Sequence, residues 1–185
     1  MDALEALTTR VSVPRLVAPG PSAEQLDWIL RAAVRAPDHG RLRPWRFLLL
    51  RDEHRERLGA LFAEALRHDQ PELEEAALQR VREKTLRAPL VMVVAAEVDL
   101  GSRIPEQEQI IATGAAVQNM MVAAHAQGLG AMWRTGAMAR HPVVKRGLAL
   151  AEKDTIVGFV YLGTPVEEPP APPDEAPGHW LRELK

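Results

Sequence analysis

The stretch from Pro105 to about Gln127 sets the hardest constraint on how this 185-residue chain folds. It reads as the longest helix. From Ile110 to Ala126 it is apolar almost all the way round, with Gly114, Ala115 and Ala116 in its middle. A helix apolar on every side is buried on every side. A chain of this length makes one domain, which has little protein to wrap such a helix completely. The pattern therefore predicts that one side packs against another subunit.

The other elements fit around that helix. Asp2 is placed to cap a short helix running to about Thr9. Ser22 to Gln25 reads as a capping box. Leu26, Ile29, Leu30, Ala33 and Val34 then give a one-faced helix ending near Ala36, before Pro37. A helix is expected from Asp52 to about His68, a very polar one from Pro71, and a short one from His141 to Leu150. Four apolar runs read as strands: Arg46–Arg51, Pro89–Ala96, Leu129–Trp133 and Thr155–Leu162, the last buried on both faces. Strands interleaved with helices predict a sheet covered on both sides, α/β or α+β in character. Periodicity leaves strand direction open. From Gly163 the chain carries six of its 15 prolines, either as a disordered tail or as an extended arm anchored by Trp180 and Leu181. No repeat or second domain is evident.

Composition narrows the chemistry. Apolar residues are 46% of the chain, enough for a packed core, and the net charge of −2 argues against a nucleic-acid surface. With no cysteine, disulfides, thiolate nucleophiles and Cys-based zinc sites are excluded, so redox chemistry would need a cofactor. The six histidines show no metal-ligand spacing, and no metal is expected. The N-terminus lacks a signal-peptide pattern and no apolar run is long enough to span a bilayer, so a cytoplasmic protein is the default.

Two turns are unusually basic. Arg35 to Phe47 joins a helix to a strand and holds Arg35, His39, Arg41, Arg43 and Arg46. Arg10, Ser12 and Arg15 follow the first helix. Guanidinium forks suit phosphate, although Arg10 would equally complement a helix C-terminus. Trp133-Arg134-Thr135-Gly136 ends a strand where backbone N–H groups can meet a ligand. Gly128-Leu129-Gly130 follows a helix and so is not a dinucleotide fingerprint; Gly128 reads as a helix C-cap. No Ser-His-Asp set, P-loop or HExxH is present.

Several of these pieces fall in one order along most of the chain. They are Arg-x-Ser at Arg10, Ala32-Ala33 before Arg35-Ala36-Pro37-Asp38-His39, Pro44-Trp45-Arg46-Phe47, Ala123 to Gly130, Trp133 to Ala137, and Ile156 to Pro165. In that order they resemble the flavin-dependent nitroreductase family, and within it the compact NAD(P)H nitroreductase branch. The resemblance implies an α+β fold with a mostly antiparallel sheet flanked by helices, a homodimer, and FMN at the dimer interface. Residues 1–165 would be the domain and 166–185 a proline-rich arm onto the partner subunit. Arg10, Val11 and Ser12 would hold the phosphate side of FMN. Arg35 and His39 would contribute from the helix-end turn, and Trp133, Arg134 and Thr135 would lie along the ring system. Ala123, Ala124, His125, Ala126, Gln127 and Gly128 would meet the electron donor, NADH or NADPH. No catalytic side chain is implied, because the flavin carries the chemistry. The implied activity is ping-pong reduction of nitroaromatics, quinones or similar flat acceptors. A flavin-binding dimer with a different oxidation chemistry, or with none, is the alternative. Val11 stands where the branch usually has a second arginine, and Arg41 and Arg43 where the wider family often has Asn and Gln.

Overall fold

A computed structural model describes residues 1–173 and 175–184; Asp174 and Lys185, both in the expected tail, lie outside the described residues. Helix α1 (Ala3–Thr9) starts at a capping box between Asp2 and Glu5, and strand β1 (Leu16–Val17) follows. Helix α2 (Ala23–Ala33) starts at a second capping box, Ser22 with Gln25; each box is worth about 1 kcal/mol. Strand β2 (Trp45–Arg51) leads into helix α3 (Glu53–Asp69) and helix α4 (Glu75–Arg82). Strand β3 (Leu90–Ala96), helix α5 (Glu106–Ala126) and strand β4 (Gly130–Arg134) come next. Short helices α6 (Ala137–Arg140) and α7 (Pro142–Gly147) precede strand β5 (Thr155–Pro165).

All strand pairs are antiparallel, which resolves the open strand direction in favour of α+β. The order is β1–β5–β3–β2, with β4 also paired to β5. β3 runs along one edge of β5; β4 and β1 share the other. The β3–β5 register slips at one point: Val94 faces Gly158 and Ala95 faces Ile156, leaving Val157 as an extra, bulged residue.

The two faces of the sheet bury separate cores. Leu90, Met92, Val94, Val160 and Leu162 point to one side, where α5 and Ile29 and Ala33 of α2 cover them. Val91, Val93, Phe159 and Tyr161 point to the other, against Leu58 and Phe62 of α3 and Val143 and Val144 of α7. Phe62 meets Phe159 edge-on, ring centroids 5.0 Å apart. The expected double burial of β5 holds from Gly158 to Gly163.

Several expectations need correction. α2 ends at Ala33, not Ala36, because Val34 to Ala36 close a turn through Arg35 N→Ala32 O and Ala36 N→Ala33 O. Pro71 does not start a helix: Leu73 N closes a turn onto Gln70 O, and α4 begins four residues after Pro71. The helix expected to reach Leu150 stops at Gly147, before a left-handed residue at Ala149. The tail, expected to be disordered or extended, holds a single 3₁₀ turn, Pro177–His179. α5 is buried on most sides, but Ile111, Gln118 and Ala126 are exposed in the single chain. Ala116, in contrast, is fully buried against the sheet.

Candidate functional site

Alternation along β4 sends its side chains to opposite faces. Ala131 and Trp133 turn toward α5, and Met132 and Arg134 toward the α3 side. The Val157 bulge fixes the indole: Trp133 Nε1 donates to Val157 O at 3.1 Å. A methyl at Gly158 would collide with that ring, so the strand must carry glycine there. The indole is thus held against the sheet–helix interface, half-buried, and Trp133 also borders the cavity at the end of the strand.

On the other face, the Arg134 guanidinium lies over the Tyr161 ring, 5.6 Å from its centroid, and its Nε is buried with no partner among the described residues. Lys84 and Arg87 border the same cavity of about 690 Å³, whose walls include Phe62, Met132, Trp133, Phe159 and the Thr135–Ala137 turn. No carboxylate lines it, and none of the three cations has an ion-pair partner among the described residues. Burial pushes the Tyr161 hydroxyl above its ordinary pKa, while Arg134 and then Arg87 oppose that rise. The tyrosine is therefore neutral and the cavity carries net positive charge. Gly136 starts α6 at φ 92°, a conformation that side chains rarely adopt.

The Arg10–Ser12 segment lies beside this strand. Val13 N donates to Ala131 O at 2.9 Å, laying the segment along the outer edge of β4. Arg10 Nη1 is buried and unpartnered among the described residues. A buried charged donor without an acceptor costs at least about 1–3 kcal/mol. Arg55 Nε on α3 is the only other guanidinium nitrogen so placed among the described residues; the Arg10 and Arg134 atoms lie on neighbouring segments, where an anion would be favoured. Thr9 Oγ1 and His125 Nε2 stand 2.9 Å apart, tying the end of α1 to the last turn of α5.

His39 sits elsewhere. Its Nδ1 pairs with Glu108 Oε2 at 2.6 Å, in the first turn of α5. His125 is 17 positions beyond Glu108, about 26 Å along the helix. One chain therefore does not bring His39 and the Arg10 segment to one ligand. The loop holding His39 is strained: Gly40, Arg41 and Arg43 all have positive φ, and Asp38 Oδ2 holds Arg43 N at 2.7 Å. Arg35 borders an open groove of about 750 Å³ between α2 and α5, with Trp28, Ala32, Ala123 and Gln127.

Ala123 to Gly128 forms the helix end the sequence predicted. Gly128 has φ 76°; its N donates to His125 O, and Leu129 N donates to Ala124 O, a Schellman motif. Ala124 is fully buried. Ala123, Ala126 and Gln127 face the α2–α5 groove. His125 and Gly128 border a second cavity of about 410 Å³ with Thr9 and Val11, over which Glu168 to Pro172 of the tail are laid. Trp180, Leu181 and Leu184 beyond it are exposed.

Lys84, Arg87 and Tyr161 escaped the sequence reading. The two cations sit in a run that looks like a solvated helix face, and the tyrosine in an apolar strand. Only the pairing of β5 with β4, beside the turn after α4, brings them together.

A model of the nitroreductase family matches residues 7–164. The chain is 43% identical over 165 residues to the "Putative NAD(P)H nitroreductase YdjA" of Escherichia coli K12, 89% of each protein. It is 36% identical over 169 residues to a "Putative NAD(P)H nitroreductase" of Haemophilus influenzae, 91% of each. Among solved structures, a nitroreductase-like protein of Bacillus cereus superposes with TM-score 0.85 at 23% identity, over 100% of this chain and 97% of the other. A "putative nitroreductase in complex with fmn" from Desulfovibrio desulfuricans gives 0.76 at 25% identity, over 100% and 99%. The antiparallel sheet, the basic segment beside β4 and these matches over nearly the whole length agree: the chain belongs to the nitroreductase family.

Proposed function

We propose that this protein is an FMN-dependent NAD(P)H oxidoreductase, a homodimer that reduces nitroaromatics, quinones or similar flat acceptors in ping-pong fashion. The observation that carries this reading is the pair of buried, unpartnered guanidinium atoms, Arg10 Nη1 and Arg134 Nε, on segments joined by the Val13–Ala131 hydrogen bond. The residues fit FMN. A phosphate dianion suits Arg10 and the Ser12 hydroxyl. A flat ring with a carbonyl-bearing edge suits an apolar cavity rimmed by Lys84, Arg87 and Arg134. Held by Arg10, Ser12 and Arg134, FMN would supply the hydride and electron transfer chemistry between the nicotinamide donor and the acceptor.

The chain's own part is binding and electrostatics. Arg134 and the N–H groups of Thr135 to Ala137 present fixed positive dipoles at the end of β4, where negative charge on a ligand is favoured. Trp133 borders the same cavity with its indole fixed by the bond to Val157 O. Val11 packs among apolar neighbours, so Arg10 is the cation this segment supplies. The open groove beside Ala123 and Gln127 leaves room for the donor to approach the C-terminal end of α5.

The dimer reading rests on two observations. His39, paired to Glu108 at the far end of α5 from His125, lies too far to serve the site beside Arg10 in its own chain, and a second copy supplies it instead. Exposed Leu4, Leu7, Trp28 and Ile111 would leave a monomer with apolar surface on α1, α2 and α5. The tail beyond Val166 serves the same assembly, with Trp180 and Leu181 as its anchors on the partner. A fluorescence titration of FMN into flavin-free protein tests the reading. The wild type binds saturably, and Arg10→Ala binds about 1–3 kcal/mol more weakly. No binding by the wild type would end the proposal.

A further inference from the structure

His68 and Asp69 close the last turn of α3, and His141 precedes Pro142 as the cap of α7. Although 72 residues separate Asp69 from His141, His141 Nε2 stands 3.1 Å from Asp69 Oδ1. His68 Nδ1 stands 3.2 Å from the same oxygen. One ligand atom from each of the three residues lies within 4.8 Å of the others. Tetrahedral Zn²⁺, with bonds of about 2.0–2.2 Å, places its donor atoms about 3.3–3.6 Å apart. The two contacts to Asp69 are close to that edge length already.

We propose that His68, Asp69 and His141 form a binding site for a divalent transition metal of the zinc–cobalt class. Two imidazoles and one carboxylate are the donor set of such ions; calcium and magnesium prefer all-oxygen shells. Placement supports the assignment independently. Asp69 is the last residue of a 17-residue helix, where the dipole already disfavours a carboxylate and a cation relieves both charges. His141 is 8% exposed and rigidly placed, while exposed His68 and Asp69 leave an entry path and room for a water as fourth ligand. The site would clamp the end of α3 to α7, which follows the Trp133–Gly136 segment in the chain through α6.

The proton balance can be written out. His141 Nδ1 accepts from Val143 N at 3.2 Å, so the neutral ring carries its proton on Nε2. Ligation at Nε2 moves that proton to Nδ1, with none released from the neutral ring, and breaks the bond from Val143. The metal and the α7 cap compete for one imidazole, which makes this a site of moderate affinity.

The test is a calorimetric titration of Zn²⁺, with a parallel visible spectrum for Co²⁺, into chelator-treated full-length protein carrying no affinity tag. One equivalent per chain is expected, with the intense visible bands of four-coordinate cobalt. Affinity should fall at least about tenfold in both His68→Ala and Asp69→Asn. Both residues are exposed, so circular dichroism should confirm that the variants fold. His54→Ala, an exposed histidine elsewhere on α3, should bind as the wild type does. Absence of saturation at one equivalent in the wild type, or equal affinity in H68A and D69N, would overturn the proposal.

Discussion

Gly158→Ala probes the contact that orients the end of β4. The added methyl would fall on the Trp133 ring at Nε1 and Cδ1 and stand 3.1 Å from Arg134 O. Overpacking of this kind costs about 1–3 kcal/mol. Moving the indole away also breaks its bond to Val157 O, worth about 1 kcal/mol. Restricting the unfolded chain returns roughly 0.4–1 kcal/mol. The net destabilisation is about 1–3.6 kcal/mol, or a fall in Tm of roughly 2–14 °C for a domain of this size. Urea unfolding, followed by tryptophan fluorescence and by far-UV circular dichroism, measures it. Gly114→Ala is the control. Its methyl would meet the opposite side of the same indole at 3.9 Å, an ordinary contact, and should stabilise α5 by about 0.5–1 kcal/mol. A G158A protein within 0.5 kcal/mol of wild type would refute the claim that the bulge and the glycine together hold Trp133.

Two further substitutions separate folding from assembly and charge from burial. Ile111→Glu changes an exposed side chain, so the chain should stay folded yet sediment as a monomer, whereas Ala116→Asp buries a charge in the core and should unfold it; analytical ultracentrifugation with circular dichroism distinguishes the two. The Tyr161 pKa is raised in the folded state, so ionisation is resisted there more than in the unfolded chain. Its stabilising contribution is complete below pH 10, the ordinary value, and is lost as pH rises through the higher folded value. Tyr161→Phe should therefore flatten the alkaline limb of a stability–pH curve, and an unchanged limb would contradict the burial argument.

Local chemistry was legible in the sequence. The Asp2 and Ser22 boxes, the Gly128 helix end and the apolar strands all follow from residues within a turn of one another. Long-range consequences were not. β1 is two residues long and exists because Leu16 and Val17 meet Pro165 and Thr164. Lys84, Arg87 and Tyr161 share a cavity only after β5 pairs with β4. Trp133 reads as an aromatic at a strand end, but the one-residue bulge on the neighbouring strand that holds its indole nitrogen is a long-range feature. Among six scattered histidines, the approach of His141 to His68 and Asp69 depends on α7 docking against α3. Arg10 and Arg134 could be read as basic turns, but not as side chains that each bury one guanidinium nitrogen with no partner among the described residues.

Native mass spectrometry of the protein as purified tests the central claim most directly, because it reports subunit number and flavin content together. The account predicts one dominant species with twice the 20.4 kDa chain mass plus two FMN molecules. A single chain free of flavin, persisting after incubation with excess FMN, would contradict it.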